Sequence, residues 1–235
     1  MERLDIWLFE AVNGLAGVSA LRDGIMRFVS GSDVLKGLPV MMLWWGLWFK
    51  FRDDQREARA RLITVLACAI GAIVVGRGLA AVLPFRLRPM HDPAVDSILP
   101  IGAWERTLGG WNSMPSDHAV LFFALAVGMV FVHRAVGYLL VAHAVIVIGL
   151  PRIFMGFHFP SDIVVGALLG LLIAALMMRP FSAAVQRSRF FHVEREAPHL
   201  VYPLLFFVTF QTATLFDSAR DFAASAWRAL QLIVS

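Results

Sequence analysis

The sequence predicts an all-α fold: a polytopic membrane bundle of six transmembrane helices with amphipathic terminal helices. Three observations carry that reading. Of the 235 residues, 59% are hydrophobic and 16% charged, whereas soluble domains run to roughly one quarter charged. Six apolar stretches approach the ~20 residues that a membrane-crossing helix needs. The basic residues gather in two short loops and at span ends, which is the pattern of a topology signal.

That placement accounts for a net charge of +4 without a nucleic-acid partner. Cys68 is the single cysteine and lies inside an apolar run, so an intrachain disulfide and a cysteine metal cluster are both excluded. The start Met1-Glu2-Arg3-Leu4-Asp5 lacks a basic region followed by an apolar core, and no cleaved signal peptide is expected. With no repeat, linker or low-complexity segment, residues 1–235 read as one domain.

The elements follow in order. Residues 4–16 place Leu4, Trp7, Leu8, Val12 and Leu15 at helical spacing, and 217–232 do the same with Phe222, Ala226 and Leu230. Each reads either as a helix lying in the membrane interface or as an ordinary terminal helix packed on the bundle. The spans are expected near 31–50, 62–83, 118–134, 136–154, 162–179 and 199–216, the fourth broken by Pro151. The loop 50–61 carries Lys50, Arg52, Arg56, Arg59 and Arg61, and 179–195 carries Arg179, Arg187, Arg189 and Arg195. Both loops are assigned to the cytoplasm, which puts 84–117, 155–161 and both termini on the outer side.

The chemistry-bearing residues fall in those outer loops. Pro84 should end the second span, and Pro89 disfavours helix at Arg88. In the extended segment between them Arg86 and Arg88 point the same way, as a two-guanidinium clamp suited to phosphate. Taken alone, the pair equally fits snorkelling arginines at a span end. Ser116 is a natural N-cap for the third span, with Asp117 and His118 in its first turn, where free backbone N–H groups favour an anion. Pro160 fits the first turn of the fifth span, so His158 precedes that helix and Asp162 lies within its start. At four positions' distance the carboxylate can accept a hydrogen bond from one imidazole nitrogen and leave the other as a nucleophile. Arg152 lies across the same turn. Ionisable groups beside hydrocarbon are costly, so the expectation is that these pair and work. Taken alone, Ser116 and His118 fit a plain cap and an interfacial histidine better; beside the His158–Asp162 pair, His118 could donate a proton to a leaving group.

The order Arg88-Pro89, Pro115-Ser116-Asp117-His118 and Arg152-x5-His158-x3-Asp162 resembles the type 2 phosphatidic acid phosphatase superfamily of membrane lipid phosphatases, over roughly residues 60 to 180. The resemblance implies His158 as nucleophile, Asp162 as its orienting partner, His118 as general acid, and Arg88, Arg152 and Ser116 as phosphate ligands. Three positions depart from the family pattern. A lysine expected seven residues before Arg88 is Ala81, with Arg77 and Arg86 as candidate substitutes and Arg86 slightly favoured. Pro151 stands where a serine is usual, and Asp117 where glycine is commonest. The Pro-Ser-Asp-His variant is similar to the branch of bacterial undecaprenyl-diphosphate phosphatases. His91, near the clamp, is a candidate substrate contact.

The expectation is therefore an integral membrane enzyme of the bacterial inner membrane, with its active site on the outer, periplasmic side. It would hydrolyse a lipid phosphate or polyprenyl diphosphate, undecaprenyl diphosphate first, through a phosphohistidine, with no metal and no cofactor. Phosphatidylglycerol phosphate or phosphatidic acid as substrate, phosphotransfer to another acceptor, and a non-enzymatic lipid-phosphate carrier or flippase are the alternatives. The sequence carries no signal for oligomeric state.

Overall fold

In a computed structural model of the chain, residues 2–50, 55–103 and 110–216 are described, and every regular element among them is helical. The expected amphipathic helix at 217–232 and Arg52 of the first basic loop lie outside the described residues.

The chain opens with α1 (Glu2–Asn13), α2 (Ala20–Gly31), the four-residue α3 (Asp33–Lys36) and α4 (Leu38–Lys50). The long α5 (Gln55–Val82) leads into the long loop that precedes α6 (Asp117–Val130). A continuous helical run then comprises α7 (Arg134–His143), a π turn (Ala144–Gly149) and α8 (Leu150–Phe154). After a short turn come α9 (Pro160–Arg187), α10 (Phe190–Glu196) and α11 (Pro198–Ala213).

Among the described residues, three helical runs are long and apolar enough to cross a membrane: Gln55–Val82, Arg134–Phe154 and Pro160–Arg187. The expected spans at 31–50, 118–134 and 199–216 correspond to α4, α6 and α11, of 13, 14 and 16 residues, short of the ~20 that crossing requires. The first is cut short where it meets α11. Ser32 caps α3 by accepting from Leu35 N, and a Cβ at Gly37 would lie 2.3 Å from the Ala213 carbonyl oxygen. α4 starts where the end of α11 crosses it.

Pro151 does not break its helix. The chain widens into the π turn just before it, and Leu150 N bonds to Val145 O. Such a turn absorbs the i−4 bond that a proline cannot make.

The centre of the bundle is the trio α5, α6 and α9. Gly166 and Gly170 make the α6–α9 contact possible. A Cβ on Gly166 would lie 2.9 Å from both Ser116 O and the Ala119 Cβ; one on Gly170 would lie 2.5 Å from Val120 O. Two small residues four apart on one face let helix backbones meet. Nearer the other end Trp44 and Trp48 stack at 5.0 Å, and Trp44 Nε1 donates to Leu62 O at 2.9 Å.

The N-terminal helices cover the loop end of this trio. The face of α1 that is buried is Asp5, Phe9 and Asn13, at 8%, 0% and 0% exposure, whereas Leu4 and Trp7 are 60% and 63% exposed. Thus α1 packs on the bundle, and the apolar stripe read from the sequence is its outward face. In a chain solvated by lipid, the polar face is the one that turns inward. Asn13 Nδ2 donates to Ile98 O and Phe154 O, while its Oδ1 accepts from Ile98 N. On α2, Asp23 accepts from Gly17 N and Ile101 N. These bonds stitch the loop between α5 and α6 to the first two helices.

Candidate active site

After α5 ends at Val82 the backbone runs extended to Arg88 (φ −77°, ψ 150°). Asn112 holds this segment in place: its Oδ1 accepts from Arg86 N at 3.2 Å and its Nδ2 donates to Ala80 O at 2.9 Å. Ser113 N then donates to Arg86 O at 3.0 Å. The segment after α8 turns sharply at Gly156, whose φ of +73° suits a residue without Cβ. Gly156 O accepts from Met90 N. Two residues on, His158 points into the junction of these segments, 3% exposed.

His158 is held at both nitrogens. Nδ1 lies 2.9 Å from Ser113 O, and a carbonyl can only accept, so Nδ1 carries the proton. Nε2 is therefore the lone-pair nitrogen, and the Arg88 guanidinium donates to it from 3.2 Å. A second Arg88 bond, to Phe157 O at 2.8 Å, fixes the guanidinium. Asp162 Oδ2 stands 3.6 Å from Nδ1. That is ion-pair distance and longer than a hydrogen bond, so the expected imidazole–carboxylate bond gives way to one with Ser113 O. The carboxylate is occupied elsewhere: Oδ2 accepts from Ser113 Oγ at 2.5 Å and Phe159 N at 2.8 Å, and Oδ1 from Arg86 at 2.7 Å. Burial, then the positive charges of Arg88 and Arg152, push the His158 pKa below its ordinary 6.5, against the pull of Asp162. Burial likewise lowers the Arg88 pKa, opposed by the negative charges of Asp162 and Asp117.

A second group of residues lines up at the N-terminus of α6. Ser116 N donates to Asp162 O at 3.2 Å, which ties the start of α6 to the start of α9. Ser116 occupies the N-cap position, but its side chain makes no capping bond; Oγ is fully buried and has no hydrogen-bond partner among the described residues. His118 Nε2 accepts from Arg152 Nη2, and Arg152 lies over the Phe157 ring at 5.5 Å. Arg77 Nε pairs with Asp117 Oδ2 at 3.1 Å. His91 closes the 3-10 turn that follows Arg88 and is half-buried.

Arg86 and Arg88 do not act side by side. Arg88 meets the imidazole, whereas Arg86 bonds to Asp162, to Ser161 Oγ at 2.7 Å and to Asp5 Oδ2 at 2.6 Å, with its guanidinium 4.1 Å from the Phe159 ring centre. Three participants were missed from the sequence: Ser113, Ser161 and Asp5. Asp5 had a signal, since Asp5, Phe9 and Asn13 recur every four residues as a partly polar stripe along one face of the helix. Ser113 had none, because its role depends on a carbonyl and hydroxyl placed by a distant turn.

A family model described as the PAP2 superfamily matches residues 61–186. The chain is 25% identical over 186 residues to the undecaprenyl-diphosphatase BcrC of Bacillus subtilis, covering 77% of this chain and 89% of that protein. It is 43% identical over 63 residues to the bacitracin transport permease protein BcrC of Bacillus licheniformis, covering 27% of this chain and 30% of that one. The crystal structure of Aquifex aeolicus LpxE shares the fold, with a TM-score of 0.52 at 20% identity, over 75% of this chain and 95% of that one.

Proposed function

Because this chain belongs to the PAP2 superfamily, we propose that it dephosphorylates a polyprenyl diphosphate, best undecaprenyl diphosphate, through a phosphohistidine on His158. The chain is a phosphoric ester hydrolase acting on lipids, and it is a membrane protein. The substrate class rests on the undecaprenyl-diphosphatase relatives and on Asp117 in the second motif.

The observation that carries the mechanism is the fixed imidazole, with Nδ1–H on Ser113 O and Nε2 beside Arg88. The Nε2 lone pair attacks the terminal phosphorus, a P–N bond forms, and the P–O bond to the leaving lipid phosphate breaks. His118 delivers a proton to that oxygen. Water then attacks the phosphohistidine, with His118 taking its proton, and inorganic phosphate leaves with the P–N bond electrons returned to Nε2. The phosphoryl oxygens take up the guanidinium bonds that Arg88 and Arg152 otherwise make to the two imidazoles, and Ser116 Oγ supplies a further donor. Arg77 serves as the third cation in place of the lysine that Ala81 replaces, because it already stands at Asp117 beside His118. His91 contacts the substrate beyond the phosphate.

The reaction belongs at the outer face of the inner membrane, because the basic loops mark the opposite side. No metal takes part in these steps. Side-by-side turnover of undecaprenyl diphosphate, phosphatidylglycerol phosphate and phosphatidic acid, with and without EDTA, tests the proposal. Highest kcat/KM on the diphosphate, unchanged by EDTA, is expected. A preference for phosphatidic acid would overturn the substrate, and loss with EDTA restored by magnesium would overturn the metal-free route. Binding of the lipid without phosphate release would point to a carrier.

A further inference from the structure

We propose that Asp5 and Arg86 form a positioning relay that reaches the nucleophile from outside the matched family region, with Asp5 on α1 holding Arg86 and Arg86 holding Asp162 behind His158. The relay rests on the reading of His158 as nucleophile. It reassigns Arg86 from phosphate ligand to positioning residue.

The geometry is continuous. Asp5 Oδ2 accepts from Arg86 Nη2 at 2.6 Å and from Ser161 Oγ at 2.5 Å, and Asp5 Oδ1 accepts from Ser161 N at 2.8 Å. Arg86 Nη1 donates to Ser161 Oγ and to Asp162 Oδ1, both at 2.7 Å. Asp162 is fully buried and Asp5 is 8% exposed. A carboxylate within the first turn of a helix is stabilised by the helix N-terminus; Asp5 supplies that charge to α9 from another helix, while Asp162 closes the same turn on Phe159 N. The guanidinium is held flat by the Phe159 ring at 4.1 Å, and Phe159 packs edge-on against Phe9 of α1 at 5.7 Å. Thus the same two helices that bury Asp5 also clamp the arginine between them. Residues 61–186, the family match, contain Arg86 and Asp162 but not Asp5.

The relay sets the charge balance behind the imidazole. The charged groups facing His158 are Arg88 from the loop after α5, Arg152 from α8 and Asp162 from the first turn of α9. Asp162 in turn faces Arg86, and Arg86 faces Asp5. Removing Arg86 leaves Asp162 less offset, so protonated His158 is favoured and the acid limb of kcat/KM rises in pH. Removing Asp5 leaves Arg86 less offset, so the limb falls. A group that binds substrate phosphate would instead change KM and vanadate affinity.

The test uses the full chain in detergent, with R86Q, R86K, D5N and the D5N/R86Q double variant, each checked for monodispersity. R86Q should lower kcat about 10- to 100-fold while KM and the vanadate inhibition constant change less than about threefold. R86K, which keeps the cation, should recover part of that loss. The acid limb should move up in R86Q and down in D5N, and return close to wild type in the double variant, whose net charge is restored. A tenfold or larger rise in KM and in the vanadate constant for R86Q, with an unmoved limb, would make Arg86 a phosphate ligand and overturn the relay. Limbs unmoved in every variant, with kcat losses that simply multiply, would reduce both residues to packing. Turnover surviving in H158A would sink the nucleophile assignment itself, a result none of the relay variants can mimic.

Discussion

Ser116 carries a buried hydroxyl with no hydrogen-bond partner among the described residues. An unsatisfied buried hydroxyl costs about 1–3 kcal/mol, so the fold gains nothing from it, whereas the proposed phosphate contact would give it a use. Ser116→Ala should leave the melting temperature unchanged or slightly raised. Turnover should nonetheless fall about 10- to 150-fold, one hydrogen bond to a charged oxygen being worth about 1.5–3 kcal/mol. A variant that is less stable yet fully active would assign Ser116 to capping after all. His158 makes a separate, pH-dependent expectation. Its pKa is lowered below 6.5, chiefly by burial, so the imidazole stays unprotonated and nucleophilic as pH falls through that value. The acid limb of kcat/KM should therefore lie below pH 6.5. A limb above it would mean that Asp162, and not burial with Arg88 and Arg152, dominates the site.

At the scale of elements, the site depends on how closely α6 and α9 approach. With a Cβ at Gly170 placed 2.5 Å from Val120 O and 2.8 Å from Ala124 N, Gly170→Ala must push two backbones apart at a cost of about 1–3 kcal/mol. A lower melting temperature in detergent, with loss of activity as Ser116 and His118 shift away from His158, is expected. Gly71→Ala, where a Cβ meets nothing within 4 Å, should leave both unchanged. Equal effects of the two would remove the glycine contact from the explanation. The long apolar helices and the three motifs were legible in the sequence because each is written in neighbouring residues, such as Arg152, His158 and Asp162 around one turn. The interrupted α3–α4 segment was not, since Gly37 stops it only by meeting α11. Helix α2 was not, because its buried residues are the polar Asp23 and Ser30. The partners of the site followed the same division. His158 was visible, whereas its Ser113 carbonyl and the Asp5 behind Arg86 depend on contacts 45 and 81 residues apart in sequence.

For the molecule as a whole, the proposed outer-face location of the site rests on which loops carry the arginines. Cys68 is buried, so a Cys68→Ser background allows single cysteines to report on sidedness. Ile98→Cys, in the loop bonded to Asn13, should react with a membrane-impermeant maleimide added to intact spheroplasts. Ser188→Cys, beyond the end of α9, should react only after lysis. The reverse pattern would invert the topology and place the chemistry in the cytoplasm. The claim on which everything else depends is that phosphorus passes through His158 Nε2. Rapid quenching of the full chain with substrate labelled at its terminal phosphate tests it most directly. Acid-labile, alkali-stable label on one peptide containing His158, absent from His158→Ala, is the expected result. Burst-free turnover with no trapped label, or label that persists in His158→Ala, would contradict it.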